Sequence, residues 1–105
     1  MKVLFDQGTP APLRRALTHH GVETAYERGW SLLRNGELIA AAEAAGFEVF
    51  VTTDRNLKYQ QNLSGRRLAI VVLGTTSWHK LRQSLSGVVQ AVDYANPGSY
   101  HEVAV

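Results

Sequence analysis

The chain of 105 residues contains no cysteine, one methionine and three prolines. The absence of cysteine excludes disulfides, thiolate zinc sites and thiol nucleophiles. No apolar run in the sequence approaches the length needed to cross a bilayer, so we expect no membrane partner. Asp6 follows only three apolar residues, which is too short a run for the core of a secretory signal. We therefore expect a cytoplasmic protein.

Charge is scarce at the end of the chain. All eleven Lys and Arg lie at or before Arg82, where they outnumber the acids by four. A mildly basic body permits phosphate binding, although an ordinary solvated surface explains the charge equally well. The length and a hydrophobic content of 45% fit one domain, with a core of residues 1–95. Residues 96–105 are predicted to form a turn followed by a tail or an edge strand.

Short apolar segments alternate with segments of helical periodicity. Strands are predicted at residues 2–5, 22–25, 47–52 and 68–73, and helices at 10–20, 35–45, 54–63 and 78–92. Residues Asn35, Asp54 and either Thr76 or Ser77 are predicted helix N-caps. This alternation predicts a three-layer α/β/α fold with a mostly parallel sheet of four to five strands. We expect right-handed crossovers and the strand order 2-1-3-4.

Two acids occupy corresponding places in this scheme. Asp6 follows the first strand and Asp54 follows the third, so both lie at the switch point where open α/β sheets bind ligands. Carboxylates brought together there repel each other unless a cation lies between them, and Mg²⁺ or Mn²⁺ would suit oxygen ligands. Glu37 opens the second helix and could supply a third ligand or orient water. Each acid also has a local explanation, namely a turn, a helix cap or a favourable contact with the helix dipole.

The sequence stretches 2–6, 10–17, 35–43 and 51–57, which contain these acids, resemble the short PIN-like domains. Some members of that family are toxins of bacterial toxin–antitoxin pairs. The resemblance implies a PIN-like fold and Mg²⁺- or Mn²⁺-dependent cleavage of RNA, with Asp6, Glu37 and Asp54 as catalytic metal ligands. It also implies RNA as substrate, with an antitoxin protein and a second copy of the chain as candidate partners.

The chain departs from the family pattern at two places. Gln7 stands where many relatives have a second acid, and no acid follows the strand that ends at Leu73. The reduced set of acids supports an alternative, in which the fold binds RNA or protein without cleavage. A phosphoacceptor receiver domain is a further alternative, with Asp54 as acceptor and Thr75 as the hydroxyl residue. Against this alternative, the chain lacks both the second acid after the first strand and a lysine after a fifth strand.

Several polar and aromatic residues near Asp54 could contact nucleic acid. The candidates for holding backbone phosphates are Arg55, Asn56, Lys58, Arg66 and Arg67. Trp30 and Tyr59 could stack on unpaired bases, although a Trp in an irregular segment more often packs internally. His19 and His20 would point in different directions on a helix, so we predict that they do not form a metal pair. His79 and His101 are assigned no role.

Overall fold

The computed structural model describes residues 1–60 and 63–105, without the side chains of Tyr59 and Gln60. Five strands form one sheet: β1 Lys2–Phe5, β2 Gly21–Thr24, β3 Val49–Thr52, β4 Ala69–Leu73 and β5 Tyr100–Val103. Their order is β2-β1-β3-β4-β5, and every neighbouring pair is parallel. The predicted α/β class and the order of the first four strands are confirmed. The segment after residue 99 forms the edge strand β5.

The central strands are apolar because both of their faces are covered. Val3, Leu4 and Phe5 of β1 have no exposed surface, and all five residues of β4 are buried. Val3 lies opposite Val49, and Phe5 opposite Val51. A strand buried on both faces gains from apolar residues at every position, so β4 reads as a continuous apolar run.

The helical segments are shorter than predicted. They are a 3₁₀ helix Ala11–Leu17, α1 Asn35–Ala44, α2 Leu57–Gln60, α3 Trp78–Leu81, a second 3₁₀ helix Arg82–Ser84, and α4 Leu85–Asp93. The prediction of one helix over 78–92 was wrong, because Ser84 leaves helical geometry with φ −126°. Ser84, Ser86 and Gly87 favour helix weakly, which explains a break there. Residues 61 and 62 of the helix predicted over 54–63 lie outside the described part.

Two of the predicted caps can be compared directly with the structure. The side chain of Ser77 accepts a hydrogen bond from the Lys80 N–H at 3.3 Å, which confirms one of the two alternatives. The N-cap of α1 is Arg34, and Asn35 is its first helical residue. Within the described ranges, no helix combines the length and the apolar character required to span a membrane.

Alternate residues of each strand enter two separate cores, one on each side of the sheet. Phe50 and Ile70 pack with Leu38 and Ile39 of α1. The core on the other side contains residues of β1, β3, β4 and β5, the first 3₁₀ helix, α3 and α4; these include Val3, Phe5, Leu13, Leu17, Val49, Val71, Leu81, Val88, Val92 and Val103. The chain therefore forms helix, sheet and helix layers.

The last crossover differs from the others in hand. The connections through α1 and α2 pack on one face, while the connection through α3 and α4 packs on the other face. Because β3 to β4 and β4 to β5 move in the same direction across the sheet, these two crossovers have opposite hands. The prediction of uniformly right-handed crossovers was therefore wrong. The long α4 connection covers the face of Val49 and Val71, which the short 3₁₀ helix alone would leave open.

Glu43 of α1 fixes the entry to β4. Its carboxylate accepts the backbone N–H groups of Arg67 at 2.8 Å and Leu68 at 3.1 Å, and the Arg66 guanidinium at 3.2 Å. Burial acts to raise the pKa of the Glu43 carboxyl, but the Leu68 N–H, the Arg66 side chain and the Arg67 N–H together hold the pKa below its ordinary value. The ionised form is therefore the one that stabilises the fold.

We predict that Glu43→Ala lowers the free energy of unfolding by about 1–3 kcal/mol at pH 7 in urea titrations, because two backbone donors lose a charged acceptor. The carboxylate contributes fully above the unfolded pKa of about 4.3, and its contribution falls as the pH drops through the lower folded pKa. The control is Glu102→Ala, which removes one exposed ion pair with Lys58 and should cost less than about 1 kcal/mol. Equal costs for the two variants would contradict the assignment.

Two glycines share a positive φ but differ in the space around an added side chain, so their alanine variants distinguish backbone strain from steric clash. Gly29 and Gly98 both have φ of 76°, but a Cβ on Gly29 would meet nothing within 4 Å. A Cβ on Gly98 would lie 2.9 Å from the Arg66 carbonyl oxygen. We predict that Gly29→Ala costs about 1–2 kcal/mol of stability, from the left-handed conformation alone, and that Gly98→Ala costs clearly more. Thermal unfolding of both variants tests this, and a smaller effect at Gly98 would refute it.

Candidate functional site

The carboxyl ends of β1 and β3 are neighbours in the sheet. From β1 the chain crosses to β2 on one side, and from β3 it crosses to β4 on the other, so the two ends flank the switch point. Asp6 directly follows β1, and its backbone N–H bonds the Val51 carbonyl at 3.1 Å. Asp54 lies two residues past β3. Asp6 and Asp54 therefore both follow the carboxyl ends of neighbouring strands, as the predicted strand order requires.

Two threonine hydroxyls hold the Asp6 carboxylate. The Thr9 hydroxyl lies 2.7 Å from Asp6 Oδ1 and 2.9 Å from the Val51 carbonyl oxygen, so the two acceptors share its proton. The Thr52 hydroxyl donates to Asp6 Oδ2. Thr9 is 6% exposed and Thr52 has no exposed surface. These buried donors fix the rotamer of a carboxylate that is itself only partly buried.

Thr52 also connects Asp6 to Asp54. Its hydroxyl oxygen accepts the Asp54 backbone N–H at 3.1 Å while its proton goes to Asp6. One buried side chain therefore sets the position of one acid and the backbone of the other. The sequence carries no local signal for this role of Thr52, because the pairing of β1 with β3 is what brings its two partners together.

Asp54 is held by two amide donors. Its Oδ1 accepts the Asn56 backbone N–H at 2.9 Å, as expected for a residue that begins a turn or helix. Its Oδ2 accepts the side-chain amide of Asn35 at 2.7 Å. Asn35 was predicted only as a helix cap, and the structure places it beside the candidate site. In the sequence, the only indication of this contact is that Asn35 lies at the start of a predicted helix.

Neutral donors distinguish these two acids from most others in the chain. The acids with a Lys, Arg or His partner are Glu23, Glu27, Glu43, Asp93 and Glu102. Among the described residues, no basic side chain pairs with Asp6 or Asp54. Their negative charge is therefore not compensated within the described part of the chain.

Glu37 is oriented toward its own helix. Its Oε1 accepts the Arg34 backbone N–H at 3.1 Å, which stabilises the first turn of α1. Over residues 1–60 and 63–105, one group of three or more His, Asp or Glu ligand atoms lies within 4.8 Å of one another, and it does not include Asp6, Glu37 or Asp54. The structure thus relates Asp6 to Asp54 through Thr52, and it does not bring Glu37 into a tight cluster with them.

The five predicted phosphate-binding residues lie at both ends of the sheet. Arg55 donates to the Gly74 carbonyl after β4, and Lys58 pairs with Glu102 at 3.0 Å, near the carboxylates. Asn56 is exposed at the same end. Arg66 and Arg67 precede β4, at its opposite end, which a five-residue strand places about 16 Å away. The first three therefore lie at the same end of the sheet as Asp54, and Arg66 and Arg67 lie at the other end.

The aromatic candidates do not form a stacking surface in the described part of the chain. Trp30 packs edge-on against Phe47 with ring centroids 6.0 Å apart, and the Arg28 guanidinium lies 4.8 Å from the Trp30 ring. Trp30 is therefore a packing residue. The side chain of Tyr59 lies outside the described residues. Thr75, proposed as the hydroxyl of a receiver domain, accepts the Ser77 N–H at 3.0 Å and shapes the turn before α3.

The prediction that His19 and His20 point in different directions was wrong. The 3₁₀ helix ends at Leu17, so His19 and His20 lie in a turn rather than on a helix. Both Nε2 atoms lie 2.6 Å from Oδ1 of Asp93, the last residue of α4. The three ligand atoms form the single group within 4.8 Å named above for residues 1–60 and 63–105. The prediction assumed that both histidines lie on a helix. Their shared partner Asp93 is more than seventy residues away, so the sequence around the histidines does not indicate the contact.

A double-mutant cycle tests the Thr52 link. Thr52→Val removes the donor and Asp6→Ala removes the acceptor of a part-buried hydrogen bond, so we predict a coupling of about 0.5–3 kcal/mol in the free energy of unfolding. The control cycle pairs Thr52→Val with Glu48→Gln. Glu48 lies four residues earlier, about 13 Å along the strand, and this pair should be additive. Additivity in the Asp6 cycle would show that the contact contributes nothing.

Comparison with known proteins does not assign a function to the site formed by Asp6 and Asp54. No family model, no curated protein and no solved structure matches this chain. The PIN-like resemblance therefore stays a prediction from the residues quoted above.

Proposed function

We propose that the chain is a metal-dependent ribonuclease that binds Mg²⁺ or Mn²⁺ through Asp6 and Asp54. One observation carries the proposal. The two acids end adjacent parallel strands, are tied together by Thr52 and have no basic partner among the described residues. Five of the other acids, among them Glu43, instead pair with a basic side chain.

The donor set fits a hard divalent cation that binds few protein groups. Each oxygen of Asp6 and Asp54 accepts a hydrogen bond from a hydroxyl or amide and keeps further lone-pair capacity for a cation. Mg²⁺ commonly takes one or two carboxylates together with water and substrate phosphate. Hydrogen bonds to ligating carboxylates are the usual support of such sites. Thr9, Thr52 and Asn35 would be that support.

A bound cation would supply Lewis-acid activation of a phosphodiester and of a water molecule. The chain's own part is to hold the Asp6 carboxylate and the Asp54 backbone through Thr52, and to orient the Asp54 carboxylate through Asn35. Lys58 lies at the same end of the sheet, where it pairs with Glu102, and it would exchange that pair for a phosphate of the RNA backbone. RNA as the substrate, a toxin role with an antitoxin partner and a homodimer rest on the PIN-like resemblance alone.

A non-catalytic binding function is the second candidate, and two observations favour it. Glu37 bonds to the backbone of its own helix rather than joining the other acids. Gln7 stands where a second acid would follow Asp6. A site with two carboxylates binds a metal weakly before a phosphate arrives, so such a chain could bind RNA without cutting it.

Cleavage of a structured RNA in Mn²⁺ separates the two functions. We predict Mn²⁺-dependent cleavage by the wild type, and a loss of about 100-fold or more in both Asp6→Asn and Asp54→Asn, because each removes a metal ligand. Glu48→Gln is the control, since Glu48 is exposed at the opposite end of β3 and should keep full activity. Circular dichroism of every variant checks the fold.

Glu37→Gln tests the role of the third acid. A helix-capping Glu37 predicts cleavage close to that of the wild type and a small loss of stability, about 0.5–1 kcal/mol. A loss of activity as large as that of Asp6→Asn would instead make Glu37 a member of the metal site. RNA binding that is unaffected by metal, with no cleavage by the wild type, would favour the non-catalytic candidate.

A further inference from the structure

A second group of metal-ligating side chains lies at the other end of the molecule. We define the imidazole cluster as His19, His20 and Asp93. The Nε2 atoms of both histidines lie 2.6 Å from Asp93 Oδ1, and the three ligand atoms are within 4.8 Å of one another. The side chain of His19 is 55% exposed, that of Asp93 32% and that of His20 6%. The cluster is thus anchored on one side and open to solvent on the other.

We propose that the imidazole cluster is a binding site for a divalent transition-metal ion of the Zn²⁺ class. Two imidazole nitrogens and one carboxylate are ligands that suit Zn²⁺ and that Mg²⁺ seldom selects. Three protein ligands leave one position of a tetrahedral ion for water or an external donor. The exposed edge at His19 gives the ion a path from solvent.

The backbone positions of the cluster are set by the core. The His20 N–H bonds the Leu17 carbonyl at 3.0 Å, and Gly21, the first residue of β2, bonds the Met1 carbonyl at 2.9 Å. Asp93 ends α4, whose Val92 packs with Leu17 in the same core. The ligands therefore come from two segments that are already held together, which lowers the cost of ordering a metal site.

Binding requires a modest rearrangement and a change of protonation. Metal–ligand distances of about 2.0–2.1 Å put tetrahedral ligands about 3.3 Å apart. Each Nε2 would therefore move about 0.7 Å away from Asp93 Oδ1, and the two Nε2 atoms, now within 4.8 Å of each other, would settle at the same tetrahedral separation. An ion that takes the two Nε2 lone pairs displaces the protons that now face Asp93, either to Nδ1 of the same ring or to solvent. The Met1 amino group lies 3.1 Å from His20 Nδ1, so it must turn or lose a proton when Nδ1 becomes the donor.

The cluster is separate from the carboxylate pair. His20 precedes β2 and contacts Met1 before β1, whereas Asp6 follows β1. The four residues of β1 place the two ends about 13 Å apart. A bound Zn²⁺ would cross-link the turn before β2 to the end of α4, which is a stabilising role independent of the proposed ribonuclease activity.

The test is calorimetric titration of the tag-free full chain with Zn²⁺, repeated with Co²⁺ to record its visible absorption. We expect one ion per chain and a Co²⁺ spectrum of a nitrogen- and oxygen-ligated site. His19→Ala and Asp93→Asn should weaken binding about 10–100-fold or more, since each removes a ligand. His20 is left intact because its buried ring could be needed for folding.

Two controls locate the ion. His101→Ala changes an exposed histidine on β5 and should bind Zn²⁺ like the wild type. The double variant Asp6→Asn with Asp54→Asn should also bind normally, which separates this site from the carboxylate pair. Zn²⁺ binding that survives in folded His19→Ala and Asp93→Asn, or that is lost in the carboxylate variant, would overturn the proposal. The absence of stoichiometric binding by the wild type would overturn it as well.

Discussion

Burial of β1 on both faces, between β2 and β3, is the constraint that places both candidate sites. Val3, Leu4 and Phe5 are fully buried, and alternate residues enter opposite cores. Polar ligands cannot lie within such a strand without a large desolvation cost. They lie at its ends, where Asp6 meets the switch point and Met1 meets the turn that carries His20.

The two ends of the sheet differ in chemistry. At the carboxyl end, Asp6 and Asp54 are held by hydroxyl and amide groups that orient a charge without neutralising it. At the amino end, hydrogen bonds from His20 and His19 hold the pKa of Asp93 below its ordinary value, although burial acts against them. The first arrangement suits a hard cation with oxygen ligands, and the second suits an ion that binds imidazole.

The path of the chain explains which predicted residues meet. The strand order follows from alternating apolar and helical segments, so the proximity of Asp6 to the end of β3 was predictable. The orientation of Glu37 was not, because a carboxylate at the start of a helix can turn either to its own N–H groups or toward a cleft. The basic residues were grouped by sequence distance, but Lys58 follows the carboxyl end of β3, whereas Arg67 precedes the amino end of β4.

The sequence by itself determined the α/β class, the order of the first four strands and the position of two acids at strand ends. It did so because burial and periodicity are local properties that each strand or helix records in its own residues. Only the tertiary structure decided the face on which α4 packs, the break at Ser84 and the meeting of His19 and His20 with Asp93. These features depend on contacts between segments far apart in the chain, where the gain from covering an apolar face outweighs local preference.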